Sequence, residues 1–153
     1  MFFKKIVFGS ECHGFHLKEA LKEKAQSNGV PVDDMNPDHD PHLSFSDVVT
    51  QCMPKILEDS ETLGFLICGS AQGIAILANR YPGIRAVFSE SVEAAEEARK
   101  KFDANVLIIS GPHCSASNAM KMGQTFMRTP FNHEKYGGAI KDKINEFDSH
   151  KKG

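Results

Sequence analysis

Leu63-Gly-Phe-Leu-Ile-Cys68 is an almost unbroken apolar run. It is too short for an ordinary helix and too apolar for a strand with one wet face, so it demands a sheet covered on both sides. Four other segments read as strands: Lys5-Ile-Val-Phe-Gly-Ser10, Val30 to Met35, Ile84-Arg-Ala-Val-Phe88 and Val106-Leu-Ile-Ile109. Helical stripes lie between them. Phe15, Leu17, Leu21 and Ala25 form one that stops at Asn28-Gly29, and Val48, Val49, Met53, Ile56 and Leu57 form another from about Ser46. Further helices are expected over Ile74 to Asn79, Ser91 to Phe102 and Ser115 to Met127, with a last amphipathic stretch near Ala139 to Phe147. Strands alternating with helices predict an α/β fold: a three-layer sandwich around a five-stranded parallel sheet, doubly wound and Rossmann-like. Pro54, inside the second helical pattern, is expected to kink or break it.

The chain has 153 residues, with 18 basic against 20 acidic ones and a net charge of -2. That length suits one core, and no repeat or linker divides residues 1–153. The charge argues against a polybasic grip on nucleic acid. No apolar run approaches the roughly 20 residues of a membrane helix, and Met1-Phe2-Phe3-Lys4-Lys5 leads directly into a strand, so neither membrane nor secretion is expected and the cytoplasm is the expected location. Cys12, Cys52, Cys68 and Cys114 form no Cys-x-x-Cys pair and read as free thiols.

In open parallel sheets ligands bind beyond the carboxyl ends of the strands. That points to residues 10–14, 68–73, 89–91 and 110–113. In Cys68-Gly-Ser-Ala-Gln-Gly73 a cysteine ends a buried strand and a glycine-bearing loop opens a helix. Gly69 and Gly73 suit a tight turn and close backbone approach, and the loop N–H groups suit an oxyanion. The same field is expected to make Cys68 more acidic than a free thiol, fit to act as base or nucleophile. The alternative is a cysteine that only fills space. The loop lacks both a dinucleotide fingerprint and the Gly-Lys-Ser/Thr ending of a P-loop. His13 and His16 with Cys12, and Asp38-His39-Asp40 with His42, carry metal-ligand residue types, but turn chemistry explains them better and no metal is expected. Glu93, Glu96 and Glu97 with Arg99, Lys100 and Lys101 read as a charged helix face.

Ile67-Cys-Gly-Ser70 with Gly73 and Ala78-Asn79, then Gly83-Ile-Arg-Ala86 and Asp103-Ala-Asn-Val106, resemble the type B ribose-5-phosphate isomerase family, which includes the galactose-6-phosphate isomerase subunits. The likeness is collinear from Lys5 to about Phe131. It implies an aldose–ketose isomerase of carbohydrate metabolism, with ribose 5-phosphate and the pentose phosphate pathway leading. Cys68 would move a proton between C1 and C2 through an enediol, and Gly69, Ser70 and Gly73 would hold the enediolate oxygens. No cofactor is implied. A homodimer or tetramer is, with the helix at about 139–149 packing on a partner subunit.

The chain departs from the family pattern at several positions. Asp-His-Ala-Gly becomes Glu11-Cys12-His13-Gly14, Asp-Tyr becomes Ser44-Phe45, and the acid after the fourth strand is represented by Glu90-Ser91. Lys101-Phe102 stands where the family has the ring-opening histidine, and Asn132 to Ile140 contains no arginine. The resemblance therefore implies Cys68, Ser70 and Lys101 as catalytic residues. Glu11, Cys12, His13, Gly69, Gly73, Asn79, Glu90 and Asp103 are the implied substrate contacts, with Asp103 equally readable as a structural cap. Lys135, His133 or Arg85 would bind an anion. A non-catalytic or altered-substrate member that binds a sugar or pairs with an active homologue is the alternative.

Overall fold

The computed structural model describes residues 2–151; Met1, Lys152 and Gly153 lie outside the described residues. Five strands, β1 (Lys5–Ser10), β2 (Val32–Asp34), β3 (Thr62–Cys68), β4 (Ala86–Phe88) and β5 (Val106–Ser110), form one sheet in the order β2-β1-β3-β5-β4. Every pairing is parallel. The helices are α1 (Phe15–Ser27), α2 (Phe45–Ile56), α3 (Gln72–Ala78), α4 (Val92–Phe102), α5 (Ala116–Arg128), α6 (His133–Tyr136) and α7 (Asp142–Lys151). A 3-10 turn at Cys12–Gly14 leads into α1, and a π-helical turn at Gly137–Lys141 joins α6 to α7. The expected doubly wound sandwich is thus present.

Strand alternation sorts β3 between two cores. Phe65 and Ile67 face α1, α4 and α5, where Phe65 meets Phe8 and Phe126 edge-on at 5.3 and 5.8 Å. Leu66 and Cys68 face α2 and α3, among Val48, Cys52, Ile74 and Ile108. Both edge strands, β2 and β4, are three residues long, which limits unpaired edge.

Pro54 does not break α2, contrary to expectation. The helix runs to Ile56, so the proline falls in its last turn and removes one bond there. Pro54 and Thr50, whose carbonyl loses that partner, both face solvent. A Ser44–Asp47 capping box and the buried Val48, Val49, Cys52, Met53 and Ile56 hold the remainder.

Burial pushes the Cys52 thiol up from its ordinary 9.0 to about 12, with the Asp34 charge adding to the rise. Above pH 9 the unfolded chain therefore ionises this thiol while the folded chain keeps it protonated. The stability contribution of the protonated thiol is intact below pH 9 and is lost as pH climbs toward about 12. Its share of the slope is about 1.4 kcal/mol per pH unit. Urea unfolding at several alkaline pH values should show a shallower decline in Cys52→Ala than in the native protein; equal slopes would refute the assignment.

The C-terminal stripe is only partly covered. Ile140 and Ile144 line a groove with Ile84 and Phe102, while Phe147 is 69% exposed. Asp148 accepts a hydrogen bond from the Gly83 N–H at 2.8 Å, anchoring α7 beside β4.

Candidate active site

Strand order reverses between β1 and β3, because β1 is followed outward by β2 whereas β3 lies on its other side. The loops beyond these two strands flank the crevice where such sheets bind ligands. They interlock with the loop after β5. Gly14 lies against the Ile67 carbonyl so closely that a Cβ would collide with it, and a Cβ on Gly111 would come within 2.7 Å of the His13 carbonyl. The Cys68 carbonyl accepts from the Gly111 N–H at 2.8 Å, and the Ser110 hydroxyl donates to the Gly69 carbonyl. Ser10, just before Glu11, donates its N–H to the Asn36 side chain at 3.1 Å.

Together these loops and the start of α2 enclose a cleft of about 300 Å3 lined by Glu11, His13, Phe45, Cys68, Ser70 and Ile74, with the backbone of Gly69, Ala71 and Gly73. Cys68 is 3% exposed, at the cleft floor. The expectation of an acidic thiol is overturned: burial pushes it up to about 11, the Ala71 N–H that it accepts lowers it, and the Glu11 charge raises it. A seven-residue helix offers too little field to offset removal from water. The tight turn also falls elsewhere than expected. Ala71, at φ 69, takes the left-handed conformation, while Gly69 and Gly73 do not have positive φ. The small size of Gly73 has another use, since a Cβ there would press to 3.0 Å on the Phe45 ring. Ser70 is exposed, and its hydroxyl accepts weakly from the Gln72 N–H at 3.4 Å.

Across the cleft Glu11 caps the 3-10 turn. One carboxylate oxygen accepts the His13 N–H at 2.9 Å and the other accepts His13 Nδ1 at 2.6 Å. The tight turn also brings Cys12 Sγ to 3.6 Å from His13 Nδ1 and 3.8 Å from Glu11. The three donor atoms lie within 4.8 Å of one another, a spacing a cation could bridge. In this arrangement the short Glu11–His13 bond already satisfies two of them.

The structure thus brings Glu11, His13, Cys68, Gly69, Ser70 and Gly73 together, with Cys12 at their side. Asn79, Glu90, Lys101 and Asp103 do not line this cleft. Asn79 exchanges hydrogen bonds of 2.9 and 2.8 Å with the Ala86 backbone and so ties α3 to β4. The Glu90 carbonyl accepts from Asn118 at 3.2 Å. Lys101, on the last turn of α4, faces a separate hollow with Glu93, Glu97 and Tyr136. Asp103 caps α4 in the left-handed conformation and pairs with Lys141, Arg99 and Arg85 at 2.6, 3.1 and 3.5 Å. The α4 end leads into the start of β5, which pairs with the start of β3, far along the sheet from Cys68.

No lysine or arginine lines the cleft among the described residues. Arg85 is occupied by Asp103 and the Gly83 carbonyl, His133 packs on Gly137, and Lys135 lies 5.3 Å over Tyr136. His39 stacks on Phe15 and His16 meets that ring edge-on, while Asp40 caps its own turn by accepting the His42 N–H at 2.8 Å, the turn chemistry expected of that loop. Phe45 was not singled out from sequence as a lining residue. Its cue was an aromatic at the first position of a helix, directly after a capping serine.

A family model described as Ribose/Galactose Isomerase matches residues 6–144. A 4-deoxy-4-sulfo-D-erythrose isomerase from Clostridium sp. (strain MSTE9) is 33% identical over 128 residues, 83% of this chain and 80% of that protein. A ribose 5-phosphate isomerase from Thermotoga maritima is similar in structure at TM-score 0.87 and 32% identity, covering 95% of this chain and 97% of the other. Ribose-5-phosphate isomerase B from Mycoplasma genitalium, solved with bound ribulose-5-phosphate, is similar at TM-score 0.88 and 27% identity over 97% and 96% of the two chains.

Proposed function

Because the chain belongs to the ribose/galactose isomerase family, we propose that it interconverts an aldose phosphate and its ketose, with ribose 5-phosphate and ribulose 5-phosphate the leading pair. The observation that carries this reading is the Cys68 thiol at the floor of a cleft, hydrogen-bonded by Ala71 and next to the Gly69–Ser70 loop. As thiolate, Cys68 would remove the C2 proton of an open-chain sugar and return it to C1. The Ser70 hydroxyl, exposed at the cleft edge, would donate to the developing enediolate oxygen. The relative solved with ribulose-5-phosphate supports this substrate class.

An altered substrate is the second reading, favoured by the lack of lysine and arginine around the cleft among the described residues. The similar isomerase of a sulfonated tetrose makes a short anionic aldose the first alternative. We further propose a homodimer in which His133 or Lys135 of one copy supplies the anion contact of the other; the exposed Phe147 and its half-buried neighbours Ile140 and Ile144 suit such an interface. A single monomeric mass at micromolar concentration would refute the dimer.

The enzymatic test is solvent deuterium exchange at C2, followed by NMR, with ribose 5-phosphate, allose 6-phosphate, galactose 6-phosphate, erythrose 4-phosphate and the free sugars. Saturable exchange with an aldose phosphate is expected. Saturable binding without exchange would favour a non-catalytic binding subunit. With the best substrate, Ser70→Ala should lower kcat about 10²-fold, since one oxyanion donor is lost. Ser70→Thr should retain activity because the hydroxyl remains; equal losses in both variants would contradict the donor role.

A further inference from the structure

Aldose–ketose interconversion moves two protons, one between carbons and one between the oxygens they carry. Cys68 accounts for the first under the isomerase reading, on which this inference rests. Besides Cys68, the ionisable side chains lining the cleft among the described residues are Glu11 and His13. Their environments differ sharply: the Glu11 side chain is 11% exposed and His13 is 66% exposed. Both Glu11 oxygens are committed to His13, one to its backbone N–H at 2.9 Å and one to Nδ1 at 2.6 Å. A carboxylate only accepts, so this bond fixes a proton on Nδ1 and leaves Nε2 as the exchanging nitrogen. The ring lies over the strand end that carries the thiol, with its Cβ and Cγ 3.9 Å from where a Gly69 side chain would begin. A Cβ at 69 would make ordinary van der Waals contact with the imidazole.

We propose that His13, oriented by Glu11, is the acid–base residue that transfers the hydroxyl proton between O1 and O2 of the sugar. The Cys68 thiolate takes the C2 proton, the electron pair forms the C1–C2 double bond, and the carbonyl electrons move onto O1, giving the enediolate. Neutral Nε2 takes the O2 proton and delivers it to O1, which leaves the charge on O2; as the C2 carbonyl forms, the double-bond electrons take the proton from Cys68 at C1. Both side chains end as they began, and no oxidant or co-reactant is consumed. Glu11 acts through His13 and is a positioning residue.

The test uses the full chain with ribose 5-phosphate, or with whichever aldose phosphate exchanges fastest. His13→Gly should lower kcat about 10²-fold with KM changed little, and added imidazole should restore part of the loss. His13→Gln, which keeps bulk and polarity, should be as slow and should not respond to imidazole. In 15N spectra the neutral His13 ring should carry its proton on Nδ1, and Glu11→Gln should erode that preference and slow kcat. Native kcat in His13→Gly, or a proton resident on Nε2, overturns this proposal alone. Absence of exchange by the unsubstituted protein with every sugar overturns the isomerase reading and this proposal with it.

Discussion

Replacement of Cys68 by alanine is expected to reduce C2 exchange by about 10²- to 10⁴-fold, the span a positioned proton-transfer group contributes. The substitution removes one sulfur from a small buried space, so the variant should fold and the loss should appear in kcat. The raised thiol pKa adds a pH signature. With Cys68 near 11, only a small fraction is thiolate at neutral pH, and the free-enzyme parameter kcat/KM should climb about tenfold per pH unit before levelling near about 11. Neutralising Glu11 removes a charge that raises the thiol, so Glu11→Gln should shift this limb toward lower pH. A profile that is flat from pH 7 to 10, or exchange that persists in Cys68→Ala, would remove Cys68 from the reaction.

Lys18→Met should destabilise the fold by about 3–5 kcal/mol, the usual result of removing one partner from a buried ion pair. The Lys18 side chain is fully buried in α1; its ammonium contacts both Asp34 oxygens at 2.9 Å, Glu19 at 3.1 Å and the Asn36 carbonyl at 2.5 Å. Methionine can fill the space but leaves Asp34 with the Lys22 ion pair and the Asn36 N–H. Burial pushes the Asp34 carboxyl up, yet the hydrogen bonds from Lys22, Lys18 and the Asn36 N–H outweigh it and hold it below the ordinary 3.8. That lowered value contributes stability at neutral pH, and the contribution disappears as acid protonates the carboxylate. Urea unfolding at pH 7 and near pH 3 should therefore show Lys18→Met much less stable than the native protein at pH 7 and closer to it in acid. Unchanged stability at pH 7 would refute the pairing. Asn36 also accepts the Ser10 N–H, so the same variant should disturb the start of the Glu11 loop.

The fold was legible because the apolar runs around Phe65 and Leu107 leave few ways to cover a sheet, and because the stripes on α1, α2 and α5 keep helical period. The thiol's ionisation was not legible, since it depends on how tightly α2 and α3 close over Cys68, a packing outcome that no local motif records. Ala71 gave no warning of a left-handed turn, because alanine lacks the turn signature of glycine or asparagine and its conformation is held by the neighbouring strand and helix. Lys101 illustrates a different limit. A helix after β4 returns toward the starting ends of the strands, so its last turn lies far from this chain's Cys68, and the resemblance supplied a role that the chain's own geometry does not bring to the cleft. Glu11 and His13 were visible as residue types, but their pairing required the 3-10 turn that folds the imidazole back onto the carboxylate.

The backbone lattice that joins the loops after β1, β3 and β5 sets limits on how this site can diversify. Growth at Gly14 would strike the Ile67 carbonyl, and growth at Gly111 would strike that of His13, so either change would move the whole platform at once. Side chains at 11, 12, 13 and 70 border the cleft without forming that lattice, as does Phe45 from the start of α2. Positions 11, 12, 13 and 45 are also among those at which this chain departs from the pattern of the family it resembles. The fold thus separates a frozen frame from a small interchangeable set of chemical groups, and a lineage can sample new sugars by substituting the set while inheriting the frame.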